Sequence, residues 1–123
     1  MKIAMIQIQS RDSLEENLQK MKSFLVKAKD QGARLAVYPE MAYFTSKKDG
    51  VGKILPKYAE LCGLFQSWAK EFQIGLIPGT LREPIAQDAE RFFNTLLLIG
   101  PEGRVLTKYK KIFRFKATLP HHT

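Results

Sequence analysis

Short apolar runs bracket one amphipathic helix, and this alternation constrains the chain more than any other feature. The first run, residues 2–9, places Ile3 and Met5 on one parity and Ala4, Ile6 and Ile8 on the other. Apolar residues on both parities suit a strand buried on both faces. Ser13, with Glu16 three residues on, then matches a capping box, in which each side chain satisfies a free backbone N–H at the helix start. Leu14, Leu18, Met21, Leu25 and Ala28 follow at helical spacing, and Gly32 lies where a left-handed closing residue is wanted. Residues 35–38 form the second strand.

The pattern then repeats. Residues 45–56 have no period and are expected to be a loop, ended by Pro56. Tyr58, Leu61, Cys62, Phe65, Trp68 and Phe72 recur at three and four, the apolar face of a second helix. Residues 74–77 are a third strand closed by Pro78 and Gly79. Residues 92–99 and 104–115 are a fourth and fifth, joined by a tight turn at Gly100, Pro101, Glu102 and Gly103. The order β-α-β-α-β-β-β predicts an α/β fold with a mixed sheet and its helices on one face. In such sheets functional groups gather beyond the carboxyl ends of strands.

Charge and composition exclude several classes. The 123-residue chain is one domain or part of one, and its single cysteine, Cys62, cannot form an internal disulfide. That points to a reducing, cytoplasmic setting. No run reaches the length of a membrane span, so no membrane partner is expected. The net charge of +8 is local: the first 102 residues carry +2 and the last 21 carry +6. A local excess fits a site, or a surface for a partner, at least as well as a phosphate-binding face.

Two groups have the placement for chemistry. Glu40 closes the stretch Arg34 to Phe44, where the apolar run Leu35, Ala36, Val37 gives way to Pro39. A carboxylate at a strand exit is either a turn cap or a general base made more basic by partial burial. The second group emerges when residues 105–115 are split by strand parity. One face takes Val105, Thr107, Tyr109, Lys111, Phe113 and Phe115; the other takes Leu106, Lys108, Lys110, Ile112 and Arg114. Lys111 is the only charge on an apolar, aromatic face and would be costly to bury unpaired. Glu40 is its natural partner. The alternatives are a strand that ends early and leaves Lys111 solvated, or a base-stacking strip for nucleic acid. The strip is disfavoured because the aromatics fall opposite Lys108 and Lys110.

Taken in order, "KIAMIQIQ", Asn17, "ARLAVYPEM", "IPGT" and "FFNTLLLIGPEGRVLTKYKKIF" resemble the N-terminal half of the nitrilase superfamily, the carbon–nitrogen hydrolases. The resemblance implies half of an α-β-β-α sandwich. It also implies hydrolysis of a small non-peptide amide or nitrile by a Cys-Glu-Lys triad, with no cofactor and no metal. By position Glu40 resembles the general base and Lys111 the lysine that steadies the oxyanion. Asn94 matches a recurring position beside the hairpin. The chain departs from the family at Phe113, often histidine there, and at Arg114, often apolar, and no acid follows Glu102.

The family's nucleophilic cysteine lies on a strand exit well beyond the lysine. Cys62 is no substitute, because it sits on the second helix's apolar stripe and is expected to be inert core. His121 and His122 are adjacent, without the spacing of a metal pair. Residues 1–123 are therefore expected to be an incomplete N-terminal portion of a hydrolase domain. Its partners would be the small amide or nitrile and either a second copy of the chain or a complementary C-terminal fragment. The alternatives are a non-catalytic module of the same fold, used for binding or assembly, and a basic nucleic-acid-binding module.

Overall fold

The computed structural model describes residues 1–44, 57–85 and 88–111. Strand β1 is Ile3–Met5, helix α1 Leu14–Asp30, β2 Leu35–Val37, helix α2 Tyr58–Phe72, β3 Gly75–Ile77, β4 Thr80–Ile85, β5 Asp88–Ile99 and β6 Val105–Lys110. The first helix starts as its sequence dictates: Ser13 is extended, and its hydroxyl accepts a hydrogen bond from the Glu16 N–H. Gly32, at φ +82°, carries the chain out of α1 in the left-handed region. Helix α2 closes on Gln73, itself left-handed, with no glycine to ease the turn.

The six strands form one mixed sheet. β1 pairs with β2 and β2 with β3, all parallel, through registers such as Ala4 with Ala36 and Ala36 with Leu76. Both crossovers advance in the same direction. Right-handed connections therefore put α1 and α2 on the same face, where Lys22 of α1 meets Glu71 of α2 at 3.8 Å. β5 is the hub. Its Thr95 and Leu96 pair with Leu81 and Thr80 of β4 on one side and with Lys110 and Tyr109 of β6 on the other. β3 joins β5 beyond β4, through Leu76 and Ile99. β6 runs parallel to β2, so both point their carboxyl ends toward the same edge of the sheet.

The covered face holds the core. Met21 and Leu25 of α1 and Leu61, Phe65 and Trp68 of α2 pack on Ala36, Leu76, Leu81, Leu97 and Ile99. Phe65 and Trp68 meet edge to face, 5.2 Å between ring centres. The opposite face is open. On it Ile3, Met5, Leu96 and Tyr109 are 46%, 77%, 36% and 57% exposed. The expectation that the first strand is buried on both faces therefore fails among the described residues, and the strand is three residues long.

Three further expectations are corrected. A sixth strand, β4, occupies residues 80–85 after the Pro78–Gly79 bend. Its Arg82, Glu83 and Pro84 disguise it, and Pro84 is tolerated because β4 pairs on one side only, with β5. β5 starts at Asp88, before Phe92. In β6 the simple two-residue alternation is broken by a bulge: Leu98 pairs with Thr107 but Ile99 with Val105. Val105 therefore packs on the core and does not share the face of Tyr109 and Lys111. The expected loop at 45–56, and Phe113, Arg114, Phe115, His121 and His122, lie outside the described residues.

Candidate active site

Glu40 stands three residues beyond the end of β2, and the backbone around it is tightly held. Gly79 passes so close that a Cβ there would sit 2.1 Å from the Pro39 carbonyl oxygen, and its φ of +91° excludes other residues in any case. Met41, immediately after Glu40, takes φ +53°, a strained value for a residue with a side chain. Its N–H donates to the Thr80 hydroxyl at 3.0 Å. The following residues, Ala42, Tyr43 and Phe44, are buried.

A buried asparagine ties this exit loop to α1. Asn17 is fully buried; its amide donates to the carbonyls of Arg11 (2.7 Å) and Tyr43 (3.0 Å) and accepts from the Arg11 N–H (2.9 Å). Burial pushes the Tyr43 phenol above its ordinary value, against a backbone hydrogen bond and the charge from Arg82. The Tyr38 hydroxyl donates to the Met21 carbonyl inside the core, and burial raises this phenol as well. Both tyrosines are structural, neutral groups.

Lys111 follows the last residue of β6, and its N–H continues the ladder to the Asn94 carbonyl at 2.9 Å. Its Nζ lies 3.7 Å from Glu40 Oε1. The two side chains are 44% and 56% exposed, so the pair is solvated and contributes little to stability. Its geometry comes from the backbone on either side. An open cleft of about 330 Å³ lies at the carboxyl ends of β1 and β2, lined by Met5, Ile6, Gln7, Val37, Tyr38 and Pro39.

Residues 2–121 match the family model for carbon–nitrogen hydrolases. The chain belongs to that family. It is 34% identical over 124 residues to the human omega-amidase NIT2, covering 97% of this chain and 42% of that protein. With a deaminated glutathione amidase from Synechocystis it shares 30% over 118 residues, covering 95% and 43%. Among solved structures it superposes on the C. elegans NitFhit protein with a TM-score of 0.83 at 25% identity, covering 98% of this chain and 30% of that one. An amidase from Nesterenkonia gives 0.81 at 23%, covering 95% and 44%. The chain thus spans less than half the length of these relatives, and it shares the corresponding part of the nitrilase-superfamily fold.

The carbon–nitrogen hydrolase chain brings Glu40 and Lys111 together and keeps Cys62 apart from them. Cys62 lies on α2, half-buried, and shares a hydrogen bond with Tyr58. Burial raises its thiol above the ordinary value of 9.0, outweighing the Tyr58 bond that lowers it, so it is a poor nucleophile at neutral pH. Among the described residues no cluster of His, Cys, Asp and Glu fits a metal ion, and no helix is long and apolar enough to cross a membrane.

Several residues that shape the site escaped the sequence reading. The "IPGT" stretch and Asn17 were recognised only as part of the family pattern. Their physical roles, a backbone contact of Gly79 with Pro39 and a bridge from Asn17 to Tyr43, join segments 40 and 26 residues apart and have no local signature. Glu83 was missed because β4 was missed.

Proposed function

We propose that this chain supplies the general base, Glu40, and the oxyanion-stabilising lysine, Lys111, of a Cys-Glu-Lys hydrolase acting on a small non-peptide amide, with a nitrile as the less favoured substrate. The observation that carries the proposal is the 3.7 Å contact between these two side chains at one edge of the sheet. The similarity to two amidases over nearly the whole of this chain supports the amide. The nucleophile is a cysteine supplied from outside these 123 residues, since Cys62 packs against the core from α2 and burial raises its thiol.

In the proposed cycle the carboxylate of Glu40 takes the thiol proton as sulfur attacks the carbonyl carbon. The Lys111 ammonium stabilises the negative oxygen of the tetrahedral intermediate. Collapse breaks the C–N bond, and Glu40 returns the proton to the departing amine. Glu40 then deprotonates a water, which attacks the thioester; collapse breaks the C–S bond, and Glu40 returns its proton to the departing sulfur as the acid is released.

The exposed row of Ile3, Met5, Leu96 and Tyr109 supports assembly as part of the same reading. The second sheet of the sandwich, from a C-terminal segment or a second copy of the chain, would cover it. The test joins this chain, covalently or by co-expression, to the C-terminal portion of a relative and follows ammonia release from small carboxamides. Turnover is expected from the joined protein and not from residues 1–123 alone. It should be lost in Glu40→Gln and Lys111→Met and kept in Cys62→Ala. Turnover by the 123-residue chain that disappears in Cys62→Ala would overturn the assignment.

A further inference from the structure

Lys108 and Lys110 of β6 and Lys111 just beyond it form a lysine-rich run, and the register of the strand decides which of them meets Glu40. Two registers are available. Near the turn Ile99 pairs with Val105; beyond the bulge Leu98 pairs with Thr107 and Thr95 with Lys110. Had the turn-side register continued without the bulge, Thr95 would face Tyr109 and Asn94 would face Lys110. Every side chain of β6 beyond the bulge would then change face, because the period of a strand is two. The apolar pattern opposes this only weakly, since Leu106 and Tyr109 are 50% and 57% exposed.

One carboxylate discriminates between the registers. Glu83 of β4 sits on the covered side, 14% exposed. Its Oε2 accepts from Lys108 Nζ at 3.0 Å, and its Oε1 accepts from the Thr95 hydroxyl at 2.9 Å and lies 3.7 Å from Lys110 Nζ. Lys110 Nζ also rests over the Phe93 ring, 4.5 Å from its centre. Lys108 and Lys110 are thus drawn across β5 to the helix side, and Lys111 is turned to the other.

We infer that Glu83 is a positioning residue: by gathering Lys108 and Lys110 it holds the bulged register that presents Lys111 to Glu40. The inference rests on the reading of Glu40 and Lys111 as the working pair. Burial raises the Glu83 carboxyl, but hydrogen bonds from Lys108 and Thr95 and the charges of Lys108 and Lys110 outweigh it and leave it lowered. Glu83 is therefore ionised at neutral pH and attracts both lysines.

The test uses the isotope-labelled 123-residue chain. In Glu83→Gln, cross-strand contacts between Thr95 and Tyr109 should appear beside those between Thr95 and Lys110. Exchange of the β6 amides bonded to β5, and of the Lys111 N–H that follows them, should quicken by roughly tenfold. The charge swap Glu83→Lys with Lys108→Glu should restore the single register. Wild-type contacts and exchange in Glu83→Gln would overturn the inference. If Glu83→Gln does not fold, Lys108→Gln with Lys110→Gln removes the same contacts from the exposed strand, and the same two readouts decide. None of these needs turnover. A register that shifts while Lys111→Met stays active in the joined enzyme sinks the catalytic reading alone; an essential Lys111 with an unmoved register sinks this one alone.

Discussion

Opposite faces of one strand carry two carboxylate–lysine groupings built on different principles. On the covered side Glu83 is mostly buried, and its partners on β5 and β6 hold it through side-chain contacts. On the open side Glu40 and Lys111 touch at 3.7 Å while both remain about half exposed. The first grouping makes its own geometry. The second inherits its geometry from Gly79, Met41 and Asn17, which hold the backbone. A solvated pair leaves its charges available to a substrate, whereas Glu83 has spent its hydrogen-bonding capacity on the fold.

The comparison can be broken first at the backbone. Gly79→Ala places a methyl group 2.1 Å from the Pro39 oxygen at a φ hostile to alanine. It should cost about 3 kcal/mol or more in denaturant unfolding, or prevent folding. Asn17→Ala removes the bridge between α1 and the Glu40 loop and leaves the buried Tyr43 carbonyl and the part-buried backbone groups of Arg11 without this partner. A loss of roughly 2–3 kcal/mol is expected, with the Tyr43 amide exchanging faster.

Side-chain changes should sharpen the contrast. Glu83→Gln should cost about 1 kcal/mol at neutral pH, since its lysine partners are half exposed. Because the folded carboxyl lies below its ordinary 4.5, this stability is present above that value and is lost as pH falls through the folded one. Unfolding curves of the wild type and Glu83→Gln should therefore converge in acid. Glu40→Gln should change stability least, by no more than about 0.5 kcal/mol, while abolishing turnover in the joined enzyme. A large stability loss in Glu40→Gln would show that the open-side pair is structural after all.

Much of this was legible in the chain's own pattern. Apolar periods of two and 3.6 located both helices and five of the six strands. Strand parity put Lys111 opposite Lys108 and Lys110, and the strand exit singled out Glu40. The capping hydroxyl of Ser13 and the left-handed Gly32 were equally readable, because caps depend on neighbours within one turn.

β4 was not legible, because Arg82, Glu83 and Pro84 look like loop residues until β5 pairs with them. Nor was the fate of Lys108 and Lys110, since their carboxylate lies 25 and 27 residues earlier on a strand two positions across the sheet. The bulge that removes Val105 from the Lys111 face is likewise a property of two strands, not one. The sequence by itself determined which segments are strands and helices and which two charges stand at strand ends. Local periodicity and local caps suffice for that. Only the tertiary structure decided the distance between Glu40 and Lys111, the backbone contact at Gly79 and the register of β6. Each depends on segments far apart in the chain, and no local pattern records a contact made only when the sheet closes around it.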